Sequence, residues 1–215
     1  VFLENIFRKG KPAVGSKKPG KQPDYYARLA KSKGYPARSV FKLEEIQQKY
    51  AIMKSGDTVL DIGAAPGSWS LFASRTVGKH GTVVAVDLKQ LDDQVVQKVP
   101  NLELITGDIF SLDVEAAIGE HGPYDVVVSD AAPSTSGNKT ADAGRSFTLV
   151  TRVLELCGTV LKPGGNLVVK LFQGGYEQEL IQAARERFKK VKTYRPQATR
   201  KPSVEIYIIG WGKKE

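Results

Sequence analysis

The 215-residue sequence is poor in the residues that build covalent and metal staples: one cysteine, Cys157, and two histidines, His80 and His121. A single thiol cannot close an internal disulfide, and its spacing from the histidines fits no zinc-ligand pattern, so neither a disulfide framework nor a structural metal is expected. Cys157 reads as an inert helix residue, and the histidines sit beside glycines in turns. Long apolar runs are missing as well. None approaches the roughly 18–20 residues of a membrane span, and no apolar segment of a secretory signal follows the basic N-terminus. The expectation is a soluble, cytoplasmic protein, with a monomer as the default. Hydrophobic residues at 41% and charged residues at 26% exclude a wholly disordered chain. The length suits one domain with a core of its own.

Acidic residues are scarce at both ends. The net charge is +9, yet residues 1–42 hold 11 basic and 2 acidic side chains, residues 43–184 hold 11 and 18, and residues 185–201 hold 8 and 1. Basic ends around an acidic middle suit a protein that receives a polyanion on one face. A solvated tail and a charged helix face would give the same tally.

Residues 8–23 are rich in Lys, Gly and Pro without periodicity, which predicts a flexible basic arm over 1–23. Domain sequence then runs over 24–215, opening with a helical extension over 24–50. Asp24 is placed to cap a first helix that Gly34 stops, and Pro36 suits the first turn of a second. Val40, Leu43, Ile46 and Tyr50 give that second helix an apolar stripe, with Lys42 beside it. From residue 56 the pattern alternates. Apolar runs at 58–63, 82–88, 102–106, 124–130 and 164–172 read as doubly buried strands. Helical stretches lie between them at 68–78, 91–99, 113–122, 143–161 and 176–188. Two more strands close the chain near 191–195 and 204–211. The predicted fold is a doubly wound, Rossmann-like α/β domain.

In such folds a ligand binds beyond the carboxyl ends of the strands. The first strand leads into Asp61-Ile62-Gly63-Ala64-Ala65-Pro66-Gly67-Ser68-Trp69, where small residues permit close approach and amides ahead of the helix offer an anion site. The second strand ends at Asp87, suited to both hydroxyls of an adenosine ribose, and the third leads to Asp108, suited to an adenine edge. The loop lacks the G-x-G-x-x-G spacing of dinucleotide sites, and Pro66 removes an amide a pyrophosphate would want. S-adenosyl-L-methionine, an adenosine without phosphates, fits better. Asp130 closes the fourth strand before a long polar loop over 131–144, and Lys170 closes the fifth. An acid and a sheltered lysine facing one cleft suit deprotonation of an alcohol beside a methyl sulfonium. A structural ion pair would leave the same trace.

The stretches RSVFKLEEI, VLDIGAAPGSWS, VVVSDAAPSTSG, LKPGGNLVVKLFQG and RKPSVEIYIIG resemble the FtsJ (RrmJ, RlmE) family of ribose 2′-O-methyltransferases. The similarity extends from about Tyr25 to Gly212. It implies an S-adenosylmethionine-dependent fold with a mostly parallel seven-stranded sheet and an antiparallel last strand. It further implies a Lys-Asp-Lys-Glu tetrad, falling on Lys42, Asp130, Lys170 and Glu205, and cofactor positions at Gly63, Ala64, Pro66, Gly67, Trp69, Asp87, Asp108 and Asp130. Trp69 and Phe172 either touch the cofactor or simply pack, and for Phe172 the core is favoured. Tyr25, Tyr26, Arg28, Lys31, Lys33 and Arg38 before the first tetrad lysine, and Arg195, Arg200 and Lys201 before Glu205, combine stacking and phosphate-binding side chains and are expected to hold RNA. The substrate expected from the resemblance is a uridine of large-subunit ribosomal RNA, free or in a 50S-type particle. Transfer RNA, or a non-catalytic role in ribosome assembly, are the alternatives.

Overall fold

The computed structural model describes residues 25–134 and 136–215. The expected arm over 1–23 and the cap at Asp24 lie outside the described residues. The runs of Val, Ile and Leu form β1 (Thr58–Ile62), β2 (Thr82–Asp87), β3 (Leu102–Thr106), β4 (Tyr124–Ser129) and β5 (Leu161–Phe172). With β6 (Phe188–Tyr194) and β7 (Glu205–Lys213) they make one seven-stranded sheet of order β3-β2-β1-β4-β5-β7-β6. Five strands are parallel, and β7 runs antiparallel to both β5 and β6.

Helices cover both faces: α1 (Tyr25–Ser32), α2 (Val40–Tyr50), α3 (Ser68–Val77), α4 (Asp93–Val96), α5 (Leu112–Glu120), α6 (Lys139–Val160) and α7 (Glu177–Arg187). Strand alternation sorts the core. Leu60, Ile62, Val84, Val86, Val127, Leu167 and Val169 point to α5, α6 and α7, while Val59, Val83, Val126, Val128, Val168 and Ile209 point to α2 and α3. Each such side chain is fully buried and contributes roughly 1.5–3 kcal/mol. Both faces must be apolar, which is why these strands lack polar alternation.

Several boundaries differ from expectation: α4 spans only Asp93–Val96 and β6 starts at Phe188, and three further shifts have a local cause. Helix α2 begins at Val40 rather than at Pro36, because Ala37 is tied to α3 by its amide (2.8 Å) and carbonyl (3.2 Å) to the Ser68 hydroxyl. Helix α6 begins at Lys139, so the loop after β4 is shorter than 131–144. The Asn138 carboxamide oxygen accepts from the Thr140 and Ala141 amides, and Asp142 sits in the first turn, where a negative charge is favoured. Strand β5 starts at Leu161, and a register shift between Tyr124 and Val126 absorbs Pro163 and the glycines after it.

The order of strands reverses between β1 and β4, which pair from Val59–Val126 to Ile62–Ser129. Just past that pairing the two chains nearly touch. A Cβ on Gly63 would stand 2.5 Å from the Ala131 Cα, and its φ of +76° lies in the left-handed region. Only glycine fits there, and the crevice opens beside it.

Candidate active site

The carboxyl ends of β1, β2, β3 and β4 bring Gly63, Asp87, Asp108 and Asp130 to one cavity of about 600 Å³. Its walls include Val86, Ile109, Phe110 and Leu149, an apolar slot of the kind that holds a flat ring. The Asp87 carboxylate accepts from the Ala65 amide (2.9 Å, Oδ2) and the Lys89 amide (2.9 Å, Oδ1), and Asp108 Oδ1 accepts from the Phe110 amide at 3.0 Å. Each oxygen keeps a free lone pair, so both carboxylates are held still and can accept from a ligand.

The glycine-rich turn is held by its own hydrogen bonds. The Gly63 and Ala64 amides donate to Val86 O, Ala65 N to Asp87, Gly67 N to Ala64 O, and Pro66 has none. These amides are therefore taken within the fold. Ala64, Pro66, Gly67 and Trp69 stand outside the cavity lining. Gly67 is needed because a Cβ would meet Val95 Cγ1 at 2.8 Å. Trp69 is buried, its indole N–H donates to Ser39 O at 3.0 Å, and its ring lies 5.9 Å from that of Tyr207. A nucleoside without phosphates fits the carboxylate acceptors of Asp87 and Asp108.

Beside the cavity, on the α2 face, the four residues of the expected tetrad converge. Helix α2 delivers Lys42, β5 Lys170, β7 Glu205, and Asp130 follows β4. Register explains the meeting: Lys170 pairs with Tyr207 and Phe172 with Glu205, while Ser129 pairs with Val169. Lys170 Nζ stands 2.9 Å from Asp130 Oδ1 and also donates to the Asp130 carbonyl. Lys42 Nζ stands 3.9 Å from the same Oδ1 and 2.5 Å from Glu205 Oε1. Charges therefore alternate along a chain, Lys170, Asp130, Lys42, Glu205, with all four side chains nearly buried.

Burial pushes the Asp130 carboxyl upward, but the Lys170 and Lys42 charges and the Tyr207 hydrogen bond overcome it and hold the group below the usual carboxylate range. Tyr207 was not foreseen. Its hydroxyl donates to Asp130 Oδ1 at 2.7 Å, and burial with the Asp130 and Glu205 charges raises its pKa well above that of a free tyrosine. It lies two residues after Glu205 on one strand, hence on the same face, and that spacing was the available signal. Asp61 was also passed over as a site residue. It is fully buried and accepts from Ser70 at 2.6 Å, while its Oδ1 has no partner.

The residues expected to hold RNA divide into two kinds. Tyr25, Arg28, Lys31, Arg200 and Lys201 are exposed. Arg38 donates to Ala198 O at 2.5 Å and lies over the Tyr26 ring, and Lys33 pairs with Glu44 at 3.2 Å. Arg195 gathers the carbonyls of Arg200, Lys201, Ser203 and Glu205, which fixes the loop leading into β7. Through the Arg38–Ala198 hydrogen bond the two basic segments adjoin, although they are far apart in sequence. Phe172 lies 6.0 Å below Lys170 Nζ, and Cys157 is buried with its thiol pushed up to about 12. Among the described residues no group of acids, histidines and cysteines could hold a metal ion, and no helix is long and apolar enough to cross a membrane.

Comparison with known proteins gives the family. A protein from Desulfosudis oleivorans named ribosomal RNA large subunit methyltransferase E is 47% identical over 195 residues, covering 91% of this chain and 93% of that one. One of the same name from Syntrophobacter fumaroxidans is 48% identical over 188 residues, covering 87% and 94%. A solved structure from Plasmodium falciparum described as a ribosomal RNA methyltransferase superposes with a TM-score of 0.71 at 28% identity, covering 83% of this chain and 98% of that one. The family model described as FtsJ-like methyltransferase matches residues 35–213, which contain the whole sheet and every tetrad residue, and the chain belongs to that family.

Proposed function

We propose that this protein transfers a methyl group from S-adenosyl-L-methionine to a ribose 2′-hydroxyl of large-subunit ribosomal RNA, with a uridine as the expected target. The observation that carries the reading is the alternating chain Lys170–Asp130–Lys42–Glu205 beside a cavity walled by Asp87 and Asp108. The names of the close relatives support the substrate class. Residues 24–215 act as one catalytic unit in this reading, in the cytoplasm where ribosomal RNA is made.

Asp87 holds the ribose hydroxyls of the cofactor and Asp108 its adenine edge, between the apolar walls of the cavity. S-adenosylmethionine, when bound, supplies a methyl group on positively charged sulfur. Lys170 is the group that touches the 2′-oxygen: it gives one proton to water beforehand and takes the hydroxyl proton as the oxygen–carbon bond forms and the carbon–sulfur bond breaks, which restores its ion pair with Asp130. Asp130 orients Lys170 and stabilises the ammonium that results. Lys42 is held by Glu205 so that a positive charge faces the incoming nucleotide, and Tyr207 fixes the Asp130 carboxylate. Positioning and electrostatics provide the acceleration.

Lys170→Ala is expected to lower methyl transfer at least about a hundredfold, the scale of a lost general base, with cofactor affinity nearly unchanged. Tritiated methyl incorporation and calorimetry measure the two. Normal turnover in the variant would remove Lys170 from the mechanism. Incorporation into transcribed transfer RNA in preference to large-subunit RNA would move the substrate, and mapping the mark identifies the nucleotide.

A further inference from the structure

Beyond the reaction centre, β6 forms one edge of the sheet, and its lysines have no role in the chemistry above. Lys190, Lys192 and Tyr194 alternate along the strand and pair with Trp211, Ile209 and Tyr207, so they share the α2 face. Tyr194 thus stands beside Tyr207, whose hydroxyl is on Asp130, and the lysines lead away from it in steps of about 6.4–6.8 Å. Lys49, at the last turn of α2, joins the stripe.

Beneath the lysines lies an aromatic group. Tyr50 meets Tyr194 edge-on at 5.3 Å and Trp211 at 5.4 Å. Lys49 Nζ lies 4.3 Å from the Tyr194 ring centre and Lys190 Nζ 5.3 Å from that of Trp211. Lys49, Lys190 and Lys192 are exposed, and among the described residues none joins an ion pair. Ring faces hold the Lys49 and Lys190 ammonium groups in place while leaving their hydrogens free to donate.

Lysines on an edge strand also serve to block edge-to-edge pairing. The opposite edge of the same sheet argues against that as the whole explanation. Strand β3 carries no lysine, and it leaves Glu103 and Leu104 exposed. Positive charge is concentrated on the edge nearer the tetrad.

We propose that this stripe, Lys49, Lys190 and Lys192 over Tyr50, Tyr194 and Trp211, is the track along which the phosphate backbone of the RNA substrate leaves the reaction centre. The proposal rests on the RNA reading above and says where the strand runs. Phosphates would take the ammonium hydrogens, and the half-buried rings would give an unpaired base a surface to stack on.

The test compares Lys190→Ser/Lys192→Ser with Lys190→Arg/Lys192→Arg on large-subunit ribosomal RNA, as transcript and as isolated subunits lacking the mark. For the serine pair the KM for RNA is expected to rise roughly tenfold with kcat and cofactor affinity unchanged, and the slope of log affinity against log salt to shrink by about 1.5. The arginine pair, which keeps the charge, retains both parameters. An unchanged KM and salt slope in the serine pair overturns the track, as does an arginine pair as weak as the serine pair. Aggregation of the serine pair at full RNA affinity leaves the lysines as edge guards and also overturns it. Failure of the wild-type protein to methylate either RNA defeats the reaction reading itself and is distinguished by that control.

Discussion

Two aspartates end neighbouring strands and are displaced in opposite directions. Asp130 collects Lys170, Lys42 and Tyr207 and is held low. Asp61 has burial as its dominant influence, relieved by the Ser70 hydroxyl and worsened by the Asp130 and Asp87 charges, and its carboxyl is pushed up to about 7. Its Oδ1 is buried without a partner. The folded protein therefore binds a proton that the unfolded chain has lost above its ordinary value of 3.8, so this group favours folding at low pH and that contribution fades as pH rises through 7. Asp61→Asn keeps the oxygen for Ser70 and cannot ionise. Without added ligand its melting temperature should exceed that of the wild type by a margin that widens from pH 5 to pH 8; a constant margin would mean that Asp61 is ionised throughout. In the sequence both residues are simply acids at strand ends. What separates them is the set of donors each meets, and those come from positions 42, 70, 170 and 207, which no local pattern brings together.

At the scale of elements, α2 and the β6–β7 loop act as one clamp. Glu45, one turn beyond Lys42, accepts from the Tyr194 hydroxyl through Oε1 and from the Gln197 amide at 2.8 Å through Oε2. The helix that carries Lys42 is thereby tied to the loop that ends in Glu205. Glu45→Ala frees both donors and is expected to cost about 1–3 kcal/mol of stability. It should also cut kcat while cofactor affinity holds, because the Lys42–Glu205 ion pair is then no longer framed. Chemical denaturation and single-turnover transfer measure these, and an unchanged kcat would confine Glu45 to stability. The strands and most helices were legible because doubly buried strands leave continuous apolar runs. Where boundaries moved, a side chain from elsewhere in the fold was responsible, as Ser68 is for the start of α2, or a short cap was overlooked, as Asn138 was for α6. The glycine turn was legible in position, and the structure adds that its Gly63, Ala64, Ala65 and Gly67 amides bond to Val86, Asp87 and Ala64.

Across the whole molecule, charge is arranged around the mouth of the site. The segment 185–201 holds 8 basic and 1 acidic side chains, and residues 1–42 hold 11 and 2. Among the described residues, folding brings 25–42 against 185–201, since Arg38 reaches Ala198 and Ala198 packs with Ala30, Val40 and Phe41. The charge tally pointed to a polyanion but could not say which basic residues face it. Arg195 and Arg38 bind loop carbonyls, whereas the β6 lysines face water. Residues 1–23 carry six basic side chains and one acid and contain none of the tetrad. If that stretch adds only sequence-independent attraction, deleting it should weaken RNA binding and flatten its salt dependence, since each phosphate no longer neutralised takes about 0.7–0.9 off the slope. At saturating RNA, kcat should stay as it was, because Lys42, Asp130, Lys170 and Glu205 pair with one another. Filter binding across a salt series with turnover at saturating RNA reads both quantities. A fall in kcat with an unaltered slope would instead give the arm a part in shaping the reaction centre.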